Sequence, residues 1–60
     1  MMPSIEYTPD YINILSDDLY GCRLSLRMLR KCFDNLVIDH IEHTSGSYKM
    51  VVLKLGAKKQ

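Results

Sequence analysis

Apolar positions recur at intervals of three and four through the middle of the chain, at Leu26, Leu29, Cys32, Phe33 and Leu36. That spacing predicts a helix from Leu26 to about Val37 with one buried stripe. Ser25, just ahead of it, is a capping hydroxyl, and Leu24 and Leu29 flank it at the distance of a hydrophobic staple. An earlier start is written at Thr8-Pro9-Asp10. There Thr8 can accept from an orphan amide, Pro9 suits the first helical position, and Asp10 favours the positive end of the dipole. Tyr7 can pack on Ile12 across that start.

Gly21 can take the left-handed conformation that ends a helix, so the chain is expected to turn there. Ser16-Asp17-Asp18 could cap a fresh short helix, so the region from Pro9 to Tyr20 reads as one helix or as two abutting ones. The pattern then changes. His40-Ile41-Glu42-His43-Thr44 and the run from Tyr48 to Leu55 look extended, and Ser45-Gly46-Ser47 joins them as a β-hairpin. Ser4 to Tyr7 offers a short strand beside that hairpin. The expected fold class is therefore α+β, with two to three short helices followed by a C-terminal hairpin. Residues 56–60, ending Lys58-Lys59-Gln60, read as a flexible basic tail.

Length changes what this fold must do. Sixty residues make one small domain, which buries only about 60% of the surface its unfolded chain exposes. A homodimer or a larger protein partner would supply further burial. With 47% hydrophobic and 25% charged residues the chain reads as globular. No apolar run approaches the roughly 20 residues needed to cross a bilayer, and the N-terminus lacks a signal-peptide pattern, so a cytoplasmic location with no membrane partner is expected. Cys22 and Cys32 lie too far apart along a helix for a relaxed disulfide and read as reduced thiols, with Cys32 a small core residue.

Charge is sorted into blocks. Glu6, Asp10, Asp17 and Asp18 come first, then Arg23, Arg27, Arg30 and Lys31 with no acid among them. Asp34, Asp39 and Glu42 follow, and Lys49, Lys54, Lys58 and Lys59 close the chain at a net charge of +1. Two basic segments hidden in a near-neutral balance point to a polyanion partner. A mixed surface would intersperse acids for i,i+4 pairing, and this helix does not. Asp34, on nearly the same side, limits the basic surface at its C-terminal end.

The segments Leu15-Ser16-Asp17-Asp18-Leu19-Tyr20-Gly21 and Leu24-Ser25-Leu26-Arg27-Met28-Leu29-Arg30, followed by Leu36-Val37-Ile38-Asp39-His40-Ile41, resemble the winged helix-turn-helix DNA-binding domains of small regulators. The turn from Gly21 to Ser25 is slightly long for that family, and the helix before Ser16 is short. The resemblance implies double-stranded DNA as partner. It makes Ser25 the opening of a recognition helix, sends Arg27, Arg30 and Lys31 to the major groove and Arg23 to the backbone, and puts Ser47 and Lys49 at the tip of a wing over phosphate. A ribbon-helix-helix is the rival DNA-binding fold, but its ribbon would carry Glu6 and no base.

Other chemistry has weaker support. Cys22, Cys32, His40 and His43 are zinc-ligand types without the paired Cys-x-x-Cys spacing, and His40-Ile41-Glu42 lacks the downstream cysteines of a deaminase. No phosphate loop and no nucleophile with a partnered base are present. The expectation is therefore a non-enzymatic protein with no cofactor, no metal and no small-molecule substrate. Its first reading is a small DNA-binding regulator or accessory protein. Its second is an interaction module, an inhibitor or small subunit, that docks on a larger protein through its apolar hairpin or an acidic N-terminal helix.

Overall fold

Tyr11-Ile12-Asn13-Ile14-Leu15 alternates polarity with a period of two and carries two β-branched residues. In the computed structural model, which describes residues 3–55, that alternation prevails over the helix-start signals before it. The elements are β1 (Ser4–Tyr7), β2 (Tyr11–Ser16), α1 (Leu19–Leu29), β3 (Leu36–Thr44) and β4 (Ser47–Lys54). All neighbouring strands are antiparallel, in the order β1-β2-β4-β3. The 56–60 tail expected from the sequence lies outside the described residues.

Two to three helices before a hairpin, and the winged-helix architecture built on them, are thus overturned: the described residues form one helix and a four-stranded sheet. The acidic N-terminal helix of the interaction-module reading disappears with them. Thr8 explains part of the difference. Its hydroxyl donates to the Tyr11 carbonyl at 2.7 Å and accepts from the Tyr11 amide at 2.9 Å, closing the β1–β2 hairpin instead of capping a helix. The strand Ser4–Tyr7 is present, paired with β2 and not with the C-terminal hairpin.

The helix begins earlier than Ser25. Asp18 is its N-cap and accepts from the Gly21 amide at 2.8 Å. Gly21 is the third residue of α1, not a terminator. A Cβ there would lie 2.2 Å from Ser16 Oγ, so glycine is needed for the close approach of the first helical turn to the end of β2. The helix ends after Leu29 in tightened turns, with Lys31 N donating to Met28 O and Cys32 N to Leu29 O. Asn35, at φ 58°, then turns the chain into β3, a conformation asparagine tolerates better than most residues.

The buried layer lies between α1 and one face of the sheet. Ile12, Ile14, Met50 and Val52 meet Cys22, Leu26 and Leu29, with Leu36 closing one end. Each large aliphatic side chain so buried contributes about 1.5–3 kcal/mol. Leu36 keeps its expected place in the core as the first residue of β3. Cys32, expected in the core, is exposed, and Cys22 fills that role. Phe33 packs at the helix end, its ring 6.4 Å from that of Tyr7.

Helix α1 lies over β2 and β4, so β3 extends beyond its cover. The register of β3 breaks between Ile38 and His40, where Asp39 is the extra residue of a bulge. Ile38 pairs with Val52 and Ile41 with Met50, both partners facing the helix. Without the bulge, strand alternation would send Ile38 and Ile41 to opposite faces.

Candidate binding groove

Arg23, Arg27 and Arg30 recur at four and three along α1, which gathers them on one flank of the helix. The flank is the one beside β3. Because β3 is not covered, a groove of about 450 Å³ opens between helix and strand. Leu26, Met50, Ile38 and Ile41 form its apolar floor and the three arginines line it. Ile38 and Ile41 are 39% and 42% exposed, unusually open for branched aliphatics on the core side of a sheet. Arg30 is anchored at the mouth, its Nη2 donating to the Leu36 carbonyl at 3.3 Å.

The other expected site residues are dispersed. Ser25 is not a cap. It sits on the opposite flank of α1, beside Pro3 and Ser16. Lys31 is exposed beyond the helix end. Ser47 and Lys49 lie in the C-terminal hairpin next to Glu42 and Thr44. Lys49 precedes Met50, which faces the helix, so Lys49 points to the far side of the sheet from the three arginines. The arrangement in which Arg27, Arg30 and Lys49 share one face is therefore absent.

The bulge carries its own polar cluster on that far side. His40 Nδ1 lies 2.6 Å from Asp39 Oδ2, and His40 Nε2 lies 2.9 Å from Glu42 Oε2. The hydrogen bond with Asp39, then that with Glu42, raises the His40 pKa above its ordinary value. Glu42 is held below the usual carboxylate range by His40 and then by the charge of Lys49. Further along β3, the His43 ring stacks on that of its cross-strand partner Tyr48 with centroids 4.1 Å apart. Neither feature gathers a metal site: among the described residues no cluster of three or more such side chains is placed to hold an ion.

Both cysteines are free thiols. Burial, and then the charge of Asp18, pushes the Cys22 thiol up, which suits a core residue and not a nucleophile. No helix among the described residues is long and apolar enough to cross a membrane.

The class these features define is a small ββαββ domain with a guanidinium-lined aliphatic groove between its helix and an outer strand. Comparison with protein-family models, curated proteins and solved structures gives no match. The floor of the groove was the part missed by sequence reasoning. Its signal was the spacing of three between Ile38 and Ile41 in an otherwise extended segment, which only a bulge can bring to one face.

Proposed function

We propose that this protein is a non-enzymatic interaction module whose groove takes an acidic, amphipathic segment of a partner protein. The observation that carries the reading is the pairing of three arginines with a purely aliphatic floor. Guanidinium forks suit carboxylates in bidentate geometry, and Ile38, Ile41, Leu26 and Met50 suit leucine-like anchors of a helix laid in the groove. We place this binding in the cytoplasm, where two free thiols stay reduced.

Duplex DNA is the second reading, favoured by the absence of any acid from Arg23 to Lys31. The helix lies flat on the sheet with its buried face occupied by Cys22, Leu26 and Leu29, which leaves phosphate contact as its natural mode. The groove lining also contains no aromatic ring on which a base could stack.

Fluorescence anisotropy separates the two. The probes are a labelled helical peptide with a leucine stripe flanked by glutamates, its lysine counterpart, and a mixed-sequence duplex. The glutamate peptide should bind and the lysine peptide should not. Arg23→Ala with Arg27→Ala, or Ile41→Ser alone, should weaken binding about tenfold or more. Duplex binding that ignores Ile41→Ser and falls with a log-log salt slope of roughly −2.7, from three phosphate contacts at −0.9 each, would replace the peptide reading with the DNA one. Binding of neither probe at low salt would overturn both.

A further inference from the structure

The floor of the groove depends on what happens on the opposite face of β3. Ile38 and Ile41 share that floor only because Asp39 is inserted between Ile38 and His40 in the ladder with β4. The inserted residue is tied down. Its Oδ2 lies 2.6 Å from His40 Nδ1, and the other ring nitrogen, Nε2, lies 2.9 Å from Glu42 Oε2. One imidazole therefore spans the strand from the inserted residue to the residue just past Ile41.

Two simultaneous contacts define the protonation state that makes them. An ionised carboxylate accepts hydrogen bonds and donates none, and a neutral imidazole carries a single N–H. Both contacts are hydrogen bonds only when the ring holds two protons. The charges around it then alternate in sign: Asp39, His40 and Glu42 along β3, and Lys49 opposite Glu42 on β4. Val51, the residue of β4 directly opposite His40, is apolar. The arginines of α1 stand on the other face of the sheet. Loss of the ring proton breaks this alternation, since it leaves Asp39 and Glu42 as like charges around a ring that can donate to only one of them.

We infer that His40 is a proton-operated strut for the groove: with the imidazolium in place the bulge is held and the aliphatic floor assembled, and loss of its proton loosens the bulge and weakens what the groove binds. The effect on a bound segment rests on the acidic-segment reading; the effect on the floor does not. Asp39 and Glu42 keep the ring protonated above its ordinary range, so the strut is complete below about pH 6.5 and is lost as pH rises through the folded value.

Methyl-resolved NMR of the ligand-free chain reads the floor itself. Between about pH 6 and about pH 9 the Ile38 and Ile41 methyl signals should shift with the same midpoint as the His40 ring, and their cross-groove NOEs to Leu26 should weaken. His40→Gln should make both signals independent of pH, and His43→Gln should leave the titration intact. The glutamate peptide gives the second readout, because its own carboxylates stay charged throughout that range. Its dissociation constant should rise about three- to fivefold, the size an exposed clasp supports, and should not rise in His40→Gln. Methyl signals that stay fixed while the ring titrates would overturn the inference. So would a peptide affinity that is flat in the wild type or that falls equally in His40→Gln. A peptide that binds at no pH would sink the acidic-segment reading instead, and the methyl titration alone would then decide the strut.

Discussion

Gly21→Ala measures the close approach between α1 and the end of β2. In an unobstructed helix interior this change gains about 1 kcal/mol, because alanine loses less backbone entropy and shields the helix. Here the new methyl would lie 2.2 Å from Ser16 Oγ and 3.2 Å from both Ser16 Cβ and Asp18 Oδ1. Rotating the serine hydroxyl away would sacrifice only its long 3.4 Å contact with the Asp18 amide, but the Cβ contact would remain tight. Relief by moving Asp18 would instead weaken the cap it makes to the Gly21 amide, an interaction of about 1 kcal/mol. Overpacking of this kind costs about 1–3 kcal/mol. The net expectation is a loss of about 1–2 kcal/mol. In a 60-residue domain that is a fall in Tm of roughly 5–15 °C. Urea unfolding followed by far-UV circular dichroism would measure it, in the wild type and in a Ser16→Gly background. Ser16→Gly removes two of the three obstructing atoms, so Gly21→Ala should become neutral or stabilising there. If Gly21→Ala alone is as stable as the wild type and shows no coupling to Ser16→Gly, the close-approach account is wrong.

Three further outcomes follow from polar groups on the sheet. His40 has its pKa raised above 6.5 when folded, so its clasp with Asp39 and Glu42 stabilises the fold fully below about pH 6.5 and is lost as pH rises through the folded value. The urea midpoint should therefore fall across neutral pH in the wild type and less so in His40→Gln; an NMR titration placing His40 at or below 6.5 would refute this. Glu42 acts in the opposite sense, stabilising above its ordinary 4.5 and losing that contribution as pH falls through its lower folded value. Asn13, 8% exposed in β2, has a buried Oδ1 with no hydrogen-bond partner among the described residues. Asn13→Val should raise stability by about 1 kcal/mol, through relief of that orphan acceptor and better strand propensity, and a lowered urea midpoint would contradict it.

The C-terminal hairpin and the strand at Ser4–Tyr7 were legible in the sequence because their signals are local: extended segments, and a glycine at the turn, where Gly46 takes φ 72°. The N-terminal helices were misread for an equally local reason. Thr8-Pro9-Asp10 satisfies every rule for a helix start, yet the same threonine hydroxyl closes a hairpin equally well. What decides between the two is the pairing of Tyr11–Ser16 with β4, more than 30 residues away, which no local window contains. Gly21 was read for its backbone freedom when its use is the absence of a side chain. The arginine cluster was legible, since Arg23, Arg27 and Arg30 share a helix flank in either register. The company they keep was not, because the partners on β3 depend on one inserted residue.

That inserted residue also bears on which surfaces stay open. The free edge of β3 is nine residues long, and an edge of that length is a template for pairing with another chain. The bulge at Asp39 interrupts the ladder in its middle and crowds Asp39, His40 and Glu42 there, two features that blunt edge pairing. Joining two copies along β3 would also bring two rows of three arginines toward each other across a shared groove, a like-charge arrangement. An acid-bearing segment meets the opposite situation, since its carboxylates neutralise the row while its apolar side chains cover Ile38 and Ile41. Bulge and arginine flank thus act together, since the inserted residue blunts the edge against pairing and opens the floor of the groove in which we propose an anionic segment binds.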